Sequence, residues 1–293
     1  MLVKLYRKYV SRSLREKIRK TFFGKILRFI RNFVAVCRSI FVYLFNSFLP
    51  NTEENQLYAF MGKHGLSFYP YTFTLKYKKM SIQTFWDEKN ELYYVDHAGK
   101  KLYYPSLTKN IAEGYRFLLM EQDICSPHRY MENFNRLKGK TLLDIGASEG
   151  MFTLSVIEII EHAYLFECEE RWVNALNVTF APWKEKITIV TKYVSDVNDE
   201  KNITIDHFLE GKSKTNIFLK MDIEGYEQVA LTGTEKTIQE AKDIDFSICT
   251  YHNEEDAVQI AQFFKKYFIE TELTEGLMYF EHNFRKAIIR RKS

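Results

Sequence analysis

The sequence is poor in cysteine, and its four, Cys37, Cys125, Cys168 and Cys249, are scattered and form no CxxC pair. A structural zinc site and a disulfide framework are therefore not expected, and a reduced, cytoplasmic location is the default. Internal repeats and low-complexity linkers are missing too, which excludes a solenoid or tandem array. Acidic residues are nearly absent from the amino-terminal end. Residues 1–49 hold twelve Lys or Arg against Glu16 alone, a net +11, so with a whole-chain charge of +4 the other 244 residues carry −7. A basic footprint confined to one tail argues against nucleic acid as the partner of the main body. Long apolar runs are also lacking. The longest charge-free stretch there, Ser39–Thr52, has 14 residues, against the roughly 20 apolar residues a bilayer span needs. A transmembrane helix is not expected, nor is a signal peptide, since the basic region is too long and no small-residue cleavage site comes after it.

What is present suffices for a sizeable core: 293 residues, 46% of them hydrophobic. Three stretches differ in pattern. In residues 1–50, Lys17, Lys20, Arg28, Arg31 and Arg38 fall on one helical face with Gly24 and Ala35, while Phe22, Ile26, Phe29, Phe33, Cys37, Ile40 and Leu44 fall on the other. Such a basic amphipathic helix suits an anionic membrane surface, through residues 17–49. The alternative is a helix packed on its own domain or on a second subunit. Residues 51–140 are aromatic-rich and read as an α+β extension docked on the domain that follows. ELYYV and KLYYP form a hairpin about His97-Ala98-Gly99, and a helix is expected over Ile111–Glu121.

From 141 to 293, short apolar runs (TLLDI, AYLFE, ITIVT, NIFLKMD, DIDFSICTY) alternate with helical stretches, the signature of a Rossmann-like doubly wound α/β fold with a mostly parallel sheet. Ligands in that architecture bind beyond the carboxyl ends of the strands, which are marked here by Asp144, Glu167, Asp222 and His252. The first strand runs into DIGASEG, where Gly146 and Gly150 would let the backbone turn and approach a ligand. Asp144 would accept from loop amides or a ligand ammonium. The third glycine of a dinucleotide fingerprint is absent. Glu167, about twenty residues on, could accept both ribose hydroxyls of an adenosyl ligand, NAD included. Asp222 and Glu224, two apart in FLKMDIEGYE, would share a face if extended, and could hold substrate, cofactor or a divalent cation. The bland readings are a structural turn, a strand-end acid and helix caps.

Taken together, DIGASEG, Glu167, ITIDHFL (203–209) and FLKMDIEGYE-x3-LTG resemble the FkbM-type methyltransferase family over about residues 141–252. The family's loop reads D-x-G-A-N-x-G, and Ser148 stands here where Asn is usual. The resemblance implies a class I fold and methyl transfer from S-adenosylmethionine to oxygen, commonly on a sugar. It makes Asp144, Gly146, Ala147, Ser148, Gly150, Glu167 and Asp222 the cofactor-binding set. A base must then remove a proton from a weakly acidic hydroxyl. His252, at the strand end with Asn253 expected to open the next helix, is the best-placed histidine, and Asp222 joins it as a catalytic candidate. Glu224, His128 and Arg129, the last as an anion binder, are candidate substrate contacts. A metal-free site is favoured over a divalent cation. A glycan acceptor, free or lipid-linked, would place the enzyme in the cytoplasm or peripherally on the inner face of the cell membrane. The competing classes are a nicotinamide-dependent or sugar-nucleotide enzyme and a non-catalytic scaffold of the same fold.

Overall fold

The computed structural model describes residues 22–292, whose contacts divide them into two units: residues up to Thr72 with Tyr279–Phe284, and Phe73–Met278 with Arg285 onward. These divisions differ from the compositional boundaries at 50 and 140. Lys17 and Lys20 of the basic stripe lie outside the described residues.

In the first unit, helix α1 (Phe22–Phe45) packs on α2 (Glu53–His64). Thr52 caps α2 by accepting from the Asn55 amide, and Glu53 and Glu54 in the first turn suit the helix dipole. The seam of α1 is Ala35, Ser39 and Val42, spaced for one helical face and buried against Tyr58 and Met61. The helices cross so closely that a Cβ on Gly62 would lie 2.3 Å from the Ser39 carbonyl oxygen. Arg38 stacks 4.0 Å over the Tyr58 ring, and Arg31 donates to the Glu281 carbonyl at 3.2 Å. The face that carries Ala35, Arg31 and Arg38 is thus the one turned toward α2 and the rest of its unit. Ile26, Phe29, Phe33, Cys37, Ile40 and Leu44 of the opposite face are exposed. Against the expectation that no stretch here is long enough to span a bilayer, Arg28–Phe48 is long and apolar enough to cross a membrane by length and composition alone.

The second unit opens with strands β1 (Phe85–Asp87), β2 (Leu92–His97) and β3 (Lys100–Tyr104) in an antiparallel sheet. The β2–β3 turn is Ala98-Gly99, both at positive φ, as a two-residue hairpin turn requires. Helix α3 (Ile111–Glu121) comes next, where expected. His97 joins the Tyr115 hydroxyl (2.9 Å) to that of Ser155 (2.8 Å), and the Tyr103 amide donates to Thr179, so the extension docks on the sheet domain.

That domain runs β4 (Thr141–Ile145), α4 (Met151–Val156), β5 (His162–Phe166), α5 (Glu170–Thr179), β6 (Ile187–Val190), β7 (Tyr193–Val194), β8 (Asn202–Ile203), α6 (Ile205–Phe208), β9 (Ile217–Met221), α7 (Glu227–Thr232), α8 (Glu235–Glu240), β10 (Ile244–Cys249), α9 (Asp256–Lys265) and β11 (Thr271–Leu273), and after β12 (Met278–Phe280) and β13 (Asn283–Arg285), which fall largely in the first unit, it closes with β14 (Ile288–Arg291). Seven strands form one sheet in the order β11-β14-β10-β9-β4-β5-β6. The five from β10 to β6 pair in parallel, and β14 is antiparallel to both neighbours. This is the class I methyltransferase arrangement, mixed but mostly parallel. Strand order reverses between β4 and β9, so the ligand crevice opens beyond their carboxyl ends. Every residue of β9 and β10 is buried, as a strand covered on both faces must be. Helix α9 begins at Asp256 and not at Asn253, whose amide instead donates to the Asp256 carboxylate at 2.8 Å.

Candidate active site

The crevice is a cleft of about 860 Å³ walled by α3, the DIGASEG loop and the ends of β5, β9 and β10. Its lining holds seven carboxylates, Glu121, Asp144, Glu149, Glu167, Glu169, Asp222 and Glu224, against two lysines, Lys192 and Lys220. Aromatic rings complete it, among them Tyr130, Trp172, Tyr226 and Tyr251.

The glycine loop is shaped by the protein's own atoms more than by a ligand. A Cβ on Gly146 would lie 2.0 Å from the Asp222 carbonyl oxygen, and one on Gly150 would meet Leu176 and Phe180 of the α5 region. Both glycines have positive φ, which they adopt without steric cost. Ser148 also sits there, at φ 48°, a conformation in which Asn is enriched. Its amide donates to Glu167 at 2.9 Å, while the other Glu167 oxygen accepts from the Glu169 amide at 2.8 Å. Glu167 thereby ties the loop to the end of β5 and faces the cleft. Ala147 lines the same wall.

Asp144 corrects an expectation. Its carboxylate pairs with Lys220 at 2.9 Å and accepts from the Thr153 hydroxyl at 2.6 Å, so it anchors β4 to β9 and α4 and is not free to take a ligand ammonium. Lys220 also donates to the Gly146 carbonyl at 2.6 Å, holding the loop from beneath. Burial opposes the Lys220 charge, but Asp144 and Asp222 outweigh it and lift the lysine above its ordinary pKa. A lysine inside the apolar run FLKMD was the available signal for this pair.

Asp222, just past β9, is the hub. It accepts from the Tyr130 hydroxyl at 2.7 Å, with Tyr251 at 3.5 Å, His252 at 3.6 Å and His128 at 3.9 Å. Burial works against its charge, yet His128, Lys220 and His252 outweigh burial and hold it below the ordinary carboxyl range. Burial pushes His128 itself down to about 4, whereas Lys220 is lifted above its ordinary value and supplies a positive charge beside Asp222. His252 is opposed by burial but raised overall by Glu227, 2.9 Å from its Nδ1, and by Asp222. Glu227 is itself oriented by the amides of Ile223 and Gly225. His252 therefore stands behind Asp222 and outside the cleft wall, as does His128. That replaces the expectation of direct contact by either histidine.

Arg129 is likewise corrected. Its guanidinium donates to the carbonyls of Met131 and Gln122, so it closes its own turn and does not wait for an anion. Asp222 and Glu224 do not share an extended face, because β9 ends at Met221 and Glu224 takes φ 58°. The Glu224 side chain is 82% exposed at the cleft mouth. Among the described residues two groups of three could offer ligand atoms to a metal, His128–Asp222–Cys249 and Asp222–Glu227–His252, and Glu224 is in neither. Burial pushes the Cys249 thiol up, and a thiol is a poor ligand for a hard divalent cation; in the other group one Glu227 oxygen already accepts from the amides of Ile223 and Gly225. Sequence reasoning missed Tyr130, Lys220, Glu227 and also Glu149, which burial raises to about 7.

A family model for the methyltransferase FkbM domain matches residues 138–286. No curated protein matches the chain. Among solved structures it is similar to a methyltransferase FkbM from Methylobacillus flagellatus KT, at 17% identity over 64% of this chain and 56% of that one, TM-score 0.43. It is also similar to Trm5b from Pyrococcus abyssi (13% identity, 68% and 55%, TM-score 0.43) and to the tRNA m1G37 methyltransferase of M. jannaschii (12%, 68% and 56%, TM-score 0.41). This chain thus spans little more than half the length of each.

Proposed function

This chain belongs to the methyltransferase FkbM family, and from that premise we propose that it carries a methyl group from S-adenosylmethionine to a hydroxyl oxygen of a sugar, in a glycan or glycan precursor. The observation that carries the reading is Asp222, an ionised carboxylate lining the cleft beside the glycine loop. The donor supplies a methyl already activated on a cationic sulfonium. A cleft with seven carboxylates and only two lysines, one of them spent on Asp144, suits that cation and disfavours a polyanionic acceptor.

Glu167 accepts the ribose hydroxyls, its carboxylate aimed by the Ser148 and Glu169 amides. Asp222 would accept a hydrogen bond from the acceptor hydroxyl and take up its proton, the general-base role the transfer needs. Tyr130 fixes the Asp222 rotamer, and the His252–Glu227 pair acts behind it as a positioning unit, supplying positive charge that keeps Asp222 ionised between turnovers. Tyr226, Tyr251 and Trp172 offer flat apolar faces to the C–H edges of a sugar ring.

Calorimetric titration should show binding of S-adenosylmethionine and S-adenosylhomocysteine and none of NAD. Incubation of cell-derived glycans with isotopically labelled donor should then place label on oxygen in mass spectra. Binding of NAD alone, or label on nitrogen or carbon, would sink the proposal.

A further inference from the structure

Helix α1 leaves an apolar surface uncovered that its own unit does not use. At 100° per residue, the exposed apolar positions from Tyr43 and Val36 through Phe29, Phe33 and Leu44 to Phe41 and Phe45 span an arc of about 200°. Phe33 is 62%, Leu44 65% and the nearby Phe48 85% exposed. So large a contiguous apolar patch is unusual on a surface meant for water. The covered side is the narrow Ala35–Ser39–Val42 seam against α2, flanked by Arg31 and Arg38.

We infer that α1 lies in the plane of an anionic phospholipid bilayer, its apolar arc among the acyl chains and α2 held on the aqueous side. Charge complementarity selects lipid as the occupant, because α1 itself carries Lys25, Arg28, Arg31 and Arg38 and no acidic residue, in a sequence whose first 49 residues hold a net +11. Geometry selects the in-plane pose. The helix is about 36 Å long, enough to cross, but α2 is packed against Ala35–Val42, the middle of the Arg28–Phe48 window. A crossing would carry the exposed Glu53, Glu54 and Lys63 of α2 alongside it, with Arg38 at mid-depth, where charges are strongly disfavoured. Lying flat, every one of these stays wet. This inference stands apart from the chemistry proposed for the cleft.

The full chain should float with vesicles of phosphatidylcholine plus phosphatidylglycerol, far less with phosphatidylcholine alone, and be released by high salt or alkaline carbonate. Phe33→Asp with Leu44→Asp should lower partitioning by about a hundredfold or more, with S-adenosylmethionine titration reporting that the fold survives. Should that pair disturb folding, Phe33→Gln with Leu44→Gln repeats the test with a smaller loss. Retention through carbonate would overturn the in-plane pose in favour of a crossing helix. Failure to float, or a lipid-free dimer that the same substitutions dissolve, would overturn the bilayer as occupant.

Discussion

Lys220→Met should be among the most destabilising single changes available in the sheet domain. The Lys220 side chain is 5% exposed and that of its partner Asp144 1%. Removing the ammonium strands a carboxylate in the core with only the Thr153 hydroxyl still donating to it, and the Gly146 carbonyl loses its donor as well. Breaking a buried pair by removing one partner costs about 3–5 kcal/mol, a large part of the roughly 5–15 kcal/mol that holds a domain folded. Urea unfolding monitored by tryptophan fluorescence should show the midpoint falling with the slope preserved. Adding Asp144→Asn removes the stranded charge, so the double variant should recover about 2 kcal/mol or more relative to Lys220→Met alone. A loss under about 1 kcal/mol in the single variant, or no recovery in the double, would refute a pair that holds β4 to β9.

Asp222→Asn should lower turnover by about 10²–10⁴-fold while S-adenosylmethionine affinity, read by calorimetry, changes little. Glu167→Ala should weaken that affinity by about 1.5–3 kcal/mol, and unchanged affinity in a folded variant would remove Glu167 from the site. Glu149, held near 7 against an ordinary 4.5 by burial, binds its proton more tightly folded than unfolded. Its contribution to stability is therefore full below 4.5 and lost as pH rises towards 7, a slope that Glu149→Gln should abolish in denaturation curves. Binding of a cationic donor beside it should release a proton near pH 7, visible as a buffer-dependent binding enthalpy. Turnover should survive EDTA unchanged, and loss restored by Mg²⁺ would show that Asp222 serves a metal.

The central strands were legible because a strand buried on both faces must be a short continuous apolar run, and β4, β9 and β10 lie within a residue or two of TLLDI, NIFLKMD and DIDFSICTY. The strand-end acids were legible by the same logic, since chain order alone fixes which residue stands at the carboxyl end of each run. Sequence could not supply which side chains meet across strands. Asp144 and Lys220 are adjacent only because β4 and β9 pair in that register. Arg129 looked available for an anion because nothing local tells that its turn curls back on the carbonyls of Gln122 and Met131. The alternation rule misplaced Glu224 because it assumes extended backbone, and the chain leaves the strand at Met221. The edge strand β11 and its neighbour β14, both short and carrying charged residues, held too little pattern to be seen.

The wall that α3 gives the cleft has a consequence for protein engineering. Phe117, Leu118, Glu121 and Gln122 face the same space as the glycine loop, yet they precede residue 138, where the family domain begins. The loop itself is not interchangeable piecemeal, because Gly146 abuts the Asp222 backbone and shares Lys220 with it. A chimera that transplanted residues 144–150 without 220–225 would import a clash. One that exchanged α3 and kept Tyr115 on His97 and Glu121 beside His128 would alter this wall of the cleft without touching the glycine loop, so part of the cleft can be varied from outside the segment that the family model matches.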